Sequence, residues 1–298
     1  MSNRIRDSIA ISRIAGRIRQ ILRLWGYSEL LLPAIEPYAE ELRDGARYAD
    51  GRGFYLIKPD ITSQIAVNIR DIGETNRLYY VSEVIRGGVT GKWQAGAELF
   101  GVDQKQGSLE ILSVAISVLE ALGIQDFSID VGSTEAWSRI TEGPDVNRKR
   151  VFEALSRRDP ALLKSLGLNP EKENEILRMM NSRGRRTGIA ELDGLVSDIG
   201  DSRVTADLGT VKLQKYYDGF IFEIYTPRTM KMLGSGGSYR IGNVTAVGFA
   251  LDLSAFETII TTLKEPSRVS VSGLEAADAY SKARELVKIG IAVEVGKQ

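Results

Sequence analysis

Gln94, Glu98 and Arg86 lie in one stretch, LYYVSEVIRGGVTGKWQAGAELFGVD from Leu78 to Asp103, and are residue types from which a polar ligand pocket is made. Two runs rich in apolar, β-branched and aromatic residues, Leu78 to Ile85 and Ala95 to Val102, flank a break containing Gly87, Gly88 and Gly91. That pattern predicts an antiparallel hairpin. Alternate side chains of a strand share a face, so Gln94, Gly96, Glu98 and Phe100 fall on one side and Ala95, Ala97 and Leu99 on the other. An amide and a carboxylate on either side of a glycine leave room above Gly96 for a small ligand carrying amino or imidazole-type donors, and Arg86 adds a fixed positive charge. A plain solvated sheet face would look the same, and these residues alone leave both readings open. Asp60 and Thr62 stand where a helix begins and are ordinary capping residues, whose oxygens accept the free amides of the first turn. Tyr216 and Tyr217 precede Gly219 and the alternating strand Phe220 to Tyr225, and read by themselves as aromatics packed in a β core.

Composition narrows the chemistry. The 298 residues contain no histidine and no cysteine, which removes the commonest neutral-pH base, thiolate catalysis, disulfides and Cys- or His-ligated zinc. Metal and cofactor sites are therefore not expected. Lys+Arg and Asp+Glu both total 39, so no global field draws the chain to nucleic acid. The amino terminus has charges spaced through its apolar residues and lacks the apolar core of a signal peptide. No uninterrupted apolar run is long enough to span a bilayer, and a cytoplasmic protein is expected.

The elements that must position these residues follow from periodicity. Ile5, Ile9, Ile14, Ile18, Ile21, Leu22 and Trp25 recur at helical spacing, with Gly26 as a stop, and the arginines between them read as a solvated face. A short strand then leads to Pro33, suited to a sheet edge or an interface. A strand at 51–57 precedes a helix running to about Ile69, and a further helix is predicted from Ser108 to Leu122, stopped by Gly123. Phe127, Ile129 and Val131 alternate as a strand. From Thr134 to Gly200 the chain breaks into short helical pieces punctuated by prolines, with Arg183, Arg185 and Arg186 in a solvated loop. The end, from Arg268 to Gln298, reads strand, helix, strand, with Ser272 and Glu275 at capping-box spacing.

Leu78 to Asp103 resembles motif 2 of the class II aminoacyl-tRNA synthetases, and QAGAELFG at Gln94 to Gly101 resembles the histidyl-tRNA synthetase branch. Pro33 falls where that class places the central proline of motif 1, through which its members dimerise. Tyr216 and Tyr217 before the Phe-Glu strand match the branch's histidine-pocket signature, and LGSGGSYR at Leu233 to Arg240 resembles its glycine-rich turn against the bound amino acid. AVGFALDLSAF at Ala246 to Phe256 resembles motif 3, a strand followed by a helix. The resemblance spans Arg4 to about Glu257 and is weak through the insertion.

That resemblance implies an α+β fold: an antiparallel six-stranded sheet flanked by helices over 1–265, with a helical insertion at 134–200. A truncated β-α-β tail at 266–298 is similar to the start of an anticodon-binding domain. It implies that Asp60, Thr62, Arg86, Gln94, Glu98, Tyr216 and Tyr217 bind histidine, with Gly96, Gly236, Gly237 and Tyr239 as pocket wall and Pro33 at a dimer interface. Departures at Asp60, Lys215, Ser238 and Arg240 leave the ligand itself open. The branch's catalytic arginines fall on Lys212 and Ala255, and the motif 2 loop is short. A residue holding the pyrophosphate charge in the transition state contributes several kcal/mol, and an alanine supplies none of it.

Within the branch the pattern is most similar to synthetase paralogues that serve as regulatory subunits of ATP phosphoribosyltransferase. The implied role is non-catalytic: a homodimer core assembling with the short catalytic subunit, for the first step of histidine biosynthesis and feedback by histidine, without tRNA. Two alternatives stay open. One is a diverged ligase that still activates an amino acid; the other is a stand-alone amino-acid sensor or tRNA-binding paralogue.

Overall fold

Ile14, Ile18 and Leu22 repeat at four-residue spacing and are fully buried, which accounts for the first helix, α1 (Asn3–Leu24). Two of its arginines, Arg19 and Arg23, both hold Glu29, at 2.7 and 3.0 Å. The computed structural model describes residues 3–38, 46–57, 61–68, 76–85, 91–142, 146–212, 217–260, 263, 268–272 and 276–295. Its described residues separate into two compact units, Met1–Thr261 and Thr262–Gln298.

In the first unit α1 is followed by β1 (Ser28–Glu29), β2 (Ile35–Pro37), β3 (Ala46–Asp50), β4 (Gly53–Ile57), α2 (Ile61–Asn68), β5 (Asn76–Ile85), β6 (Gly91–Phe100), α3 (Gln104–Ala121) and β7 (Ser128–Ser133). The predicted hairpin is β5 and β6, ten residues each, in register from Asn76 with Phe100 to Ile85 with Gly91. Gly91, read as part of the break, belongs to the strand. Helix α3 begins four residues before the predicted Ser108, because Asp103 caps it by accepting from the amides of Lys105 and Gln106.

The next segment carries α4 (Thr134–Ile140), α5 (Arg148–Ser156), α6 (Pro160–Lys164), α7 (Pro170–Met180), β8 (Arg183–Gly184) and α8 (Ala190–Ile199). Side chains of α5, α6 and α7 close around Trp137 of α4 and Val211, giving this segment its own apolar core. The unit ends with β9 (Val204–Asp207), β10 (Tyr217–Tyr225), β11 (Gly234–Ile241), β12 (Val244–Asp252) and α9 (Leu253–Glu257).

These strands form one nine-stranded sheet in the order β1-β5-β6-β12-β11-β10-β7-β9-β8. Its centre, from β5 across to β7, is the expected run of six antiparallel strands. The sheet is mixed because β1 adds in parallel to β5 and β9 in parallel to β7. Helices α3 and α8 pack on one face. On the other, Ile61 and Ile65 of α2 pack with Tyr80, Val84, Phe100 and Tyr239 and cover part of the sheet. Strands β2, β4 and β3 make a separate small sheet with Leu31, Ile35, Tyr38 and Phe54 exposed at or beside it.

Leu233 to Arg240, read as a glycine-rich turn, is for the most part the interior strand β11. Its glycines answer close packing rather than chain reversal: a Cβ on Gly234 would lie 2.5 Å from the Ala250 carbonyl oxygen, and one on Gly236 2.3 Å from that of Gly248.

The second unit has β13 (Val269–Val271), α10 (Ala276–Lys288) and β14 (Val293–Val295), with the two strands parallel, as the strand-helix-strand reading expects. Ser272 is described, but Glu275, its predicted capping-box partner, lies outside the described residues.

Candidate functional site

Cross-strand register decides what meets on the open face of the sheet. Gln94, Gly96 and Glu98 of β6 stand opposite Asp252, Ala250 and Gly248 of β12, and Gly248 in turn stands opposite Gly237 of β11. Residues directly opposite point to the same side, so these side chains share one surface with Ser235, Tyr239 and Glu223. A cavity of about 420 Å³ opens there, and Thr62, Gln94, Glu98, Tyr217, Gly237 and Tyr239 are among its walls.

Glu98 is the floor. Its side chain is buried, with the residue only 2 % exposed, and its two carboxylate oxygens are held separately. Thr62 in the first turn of α2 donates to Oε1 at 2.8 Å, and Tyr239 donates to Oε2 at 2.7 Å. Hydroxyl donors are what a desolvated carboxylate requires. The Tyr239 hydroxyl is pushed well above its ordinary pKa, first by burial and then by the neighbouring Glu98 charge. Gly248 makes the arrangement sterically feasible, since a Cβ there would sit 1.8 Å from Glu98 Oε2.

Gln94, four residues earlier on the same face, has a buried Oε1 with no hydrogen-bond partner among the described residues. Buried acceptors are normally satisfied, so this oxygen and the Glu98 carboxylate present a cavity wall suited to a ligand with several N–H donors.

Three more cavity residues carry charge. Lys212 is almost buried and is paired with Glu223 at 2.6 Å, while Glu223 Oε2 accepts from the Tyr225 hydroxyl. Lys92 lies 3.8 Å from Asp252, whose other oxygen caps α9 through Ser254.

The structure places Thr62, Gln94, Glu98, Tyr217, Gly237 and Tyr239 together around one cavity. Asp60, Arg86 and Tyr216, with Lys215, lie outside the described residues. The space expected above Gly96 is already filled: a Cβ there would meet the Tyr80 hydroxyl at 2.5 Å and the Phe249 carbonyl at 2.3 Å. The opening lies instead over β12 and β11. Gly236 faces away from the cavity, toward the Phe222 ring, and Gly237 and Gly234 form the wall on β11. Ser238 also points to the helix side, donating toward the carbonyls of Asp218 and Phe220 and accepting from Gln104. Ala255 is fully buried in α9 and does not line the cavity. Pro33 is exposed, and its carbonyl accepts from Gln64.

Sequence reading missed Gly248, Ser235 and Asp252 as cavity residues. The i, i+2, i+4 alternation of Gly248, Ala250 and Asp252 on one strand face was the available signal. Among the described residues no group of acidic side chains is placed to hold a metal ion, and no helix is long and apolar enough to cross a membrane.

The family model described as histidyl-tRNA synthetase matches residues 5–256. An ATP phosphoribosyltransferase regulatory subunit from Symbiobacterium thermophilum is 28% identical, over 97% of this chain and 87% of its own length. Among solved structures, an ATP phosphoribosyltransferase regulatory subunit/histidyl-tRNA synthetase from Bacillus halodurans superposes with a TM-score of 0.77. It is 22% identical, covering 97% of this chain and 88% of that one. An ATP phosphoribosyl transferase complex from Thermotoga maritima contains a chain with a TM-score of 0.68 at 17% identity, covering 82% of this chain and 97% of that one.

Proposed function

The chain belongs to the histidyl-tRNA synthetase family, and from that premise we propose that it is a non-catalytic regulatory subunit of ATP phosphoribosyltransferase, acting with the short catalytic subunit in histidine biosynthesis. The observation that carries this reading is the cavity itself: a buried carboxylate with its oxygens oriented by two hydroxyls, beside an amide oxygen that has no partner among the described residues. Such a wall recognises an ammonium and an imidazole. Of the two cations that line the cavity among the described residues, Lys212 is paired with Glu223 at 2.6 Å and Lys92 lies 3.8 Å from Asp252. Relatives spanning nearly the whole chain carry the regulatory-subunit name.

Histidine is the effector in this reading. Asp60 and Thr62 hold its ammonium, Tyr216 and Tyr217 line its pocket, and Arg86, Gln94 and Glu98 complete the binding set with Tyr239 as wall. The synthetase-like part is 1–265 with its insertion at 134–200, and 266–298 is a tail. The exposed apolar residues Leu31 and Ile35 on either side of Pro33 in the chain, and Phe54 on β4, support a homodimer about the β2-β4-β3 sheet. A cytoplasmic site and independence from tRNA go with this role. Histidine alters the partner only through a difference in affinity between two states of the assembly.

Co-expression with the short catalytic chain from the same genome, followed by size-exclusion chromatography, tests the assignment. Co-elution with histidine-sensitive phosphoribosyl transfer is the expected result, and persistent separate elution refutes it. The family's name favours one second reading, a ligase that activates an amino acid. Robust histidine-dependent ATP–pyrophosphate exchange would establish that reading instead.

A further inference from the structure

The same sheet face carries a row of charges that starts at the cavity wall and runs to the sheet edge. Glu223 of β10 stands directly opposite Asp130 of β7, and Asp207 ends the adjoining strand β9. Like charges directly opposite each other are unfavourable, and each of these carboxylates is matched by a cation. Lys212 lies 2.6 Å from Glu223, Arg183 2.7 Å from Asp130, and Arg158 2.6 Å from Asp207. Asp207 is wholly buried and Asp130 nearly so, which leaves them dependent on these partners. Burial and the nearby Asp207 together hold the Asp130 carboxyl above its ordinary pKa, a sign of how close the balance is.

Arg183 is the member with two places to go. It already reaches a second carboxylate, lying 3.6 Å from Asp207, and half of its side chain is exposed. It also sits on β8, the two-residue strand that joins the helical insertion to the sheet edge at β9. At the other end of the row, Lys212 is a cavity wall residue. Its ammonium is a compact charge on a flexible stem, able to change partner without the planar geometry an arginine requires.

We propose that this row reports occupancy of the cavity to the insertion: a ligand carboxylate takes Lys212 from Glu223, and Arg183 shifts from Asp207 toward the uncompensated Glu223 and Asp130, changing how β8 is held. The inference rests on the cavity being an amino-acid site. The physical element is Arg183 with its two carboxylate settings, biased at one end by the ligand and at the other by the insertion. Reciprocity then fixes two signs. Removing the charge of Glu223 frees Lys212 and strengthens binding of a carboxylate ligand. Removing Arg183 increases the demand of Glu223 and Asp130 on Lys212 and weakens it. Neither residue lines the cavity.

Calorimetric titration of the full chain with L-histidine and with L-histidinol, which keeps the imidazole and amine but lacks the carboxylate, tests this. Glu223→Gln is expected to bind histidine about fivefold more tightly, a coupling of ordinary size for two linked sites. Arg183→Gln is expected to bind it more weakly by a similar factor, while histidinol affinity is equal across the three proteins and serves as the control for folding. Hydrogen exchange at residues 176–186 should change on adding histidine and not on adding histidinol. Equal histidine affinities in all three proteins, or the same shifts for histidinol, overturn the coupling while leaving the amino-acid site standing. Failure of the wild-type chain to bind either compound overturns both.

Discussion

The close approach at Gly248 yields the sharpest prediction. A methyl group at this position would lie 1.8 Å from Glu98 Oε2, 2.6 Å from its Cδ and 2.8 Å from the Ala97 carbonyl oxygen. Ordinary contact begins near 3.4 Å, so in Gly248→Ala the carboxylate must retreat by roughly 1.5 Å, which breaks a 2.7 Å bond from Tyr239. Overpacking costs about 1–3 kcal/mol, and a hydrogen bond to a charged group about 1.5–3 kcal/mol. A loss of about 3–5 kcal/mol in unfolding free energy is therefore expected, together with loss of the ligand wall. Urea denaturation followed by circular dichroism measures it. The Glu98→Ala background isolates the cause: there the substitution should cost about 1 kcal/mol, the residue of the Ala97 contact, giving a coupling of at least about 2 kcal/mol between the two sites. Equal costs in both backgrounds would refute the idea that this glycine exists to admit the carboxylate.

Three further outcomes follow from the same geometry. Glu98→Gln keeps the shape of the floor and removes its charge, so histidine binding should weaken by about 10- to 100-fold, as judged by calorimetry. Burial raises the pKa of the hydroxyls of Tyr27, Tyr225 and Tyr239, followed by Glu110 for the first, a Glu223 hydrogen bond for the second and Glu98 for the third. A folded-state pKa above the unfolded value of about 10 means that stability from these groups is complete below pH 10 and lost above it. The loss is at most about 1.4 kcal/mol per pH unit for each tyrosine. Urea midpoints measured from pH 8 to 11 should fall only above 10, and less steeply in Tyr239→Phe; a flat profile would contradict the assignment. Trp137, fully buried, donates to the Leu208 carbonyl at 2.6 Å. Trp137→Phe should thus cost about 1–3 kcal/mol, and protease should cut the insertion faster.

What could be read from the chain divides by distance along it. The hairpin, the alternation of Gln94, Gly96 and Glu98, the helix ends at Gly26 and Gly123, and the strand-helix-strand tail are local patterns, and they recur in the structure. So does the six-stranded antiparallel centre, which came through resemblance rather than periodicity. Where local signals competed, one hid another. Apolar periodicity puts the start of α3 at Ser108 when its cap is Asp103, and the glycines of Leu233 to Arg240 look like a turn when they relieve contact between β11 and its neighbours.

The cavity's working parts depend on register, and register is not local. Whether the room above Gly96 is open depends on which residue of β5 lies opposite, and that residue is Tyr80, whose hydroxyl occupies it. Whether Glu98 can be buried depends on a glycine 150 positions later, and its oxygens are satisfied from α2 on one side and β11 on the other. Arg183, expected in a solvated loop, is bound to Asp130 from 53 positions away. A one-residue slip of β12 against β6 would put the side chain of residue 247 or 249 in place of Gly248 beside that carboxylate and close the floor. The ligand wall is therefore a property of strand pairing before it is a property of any residue in it, and substitutions that shift the β12 register should abolish binding even when every cavity residue is kept.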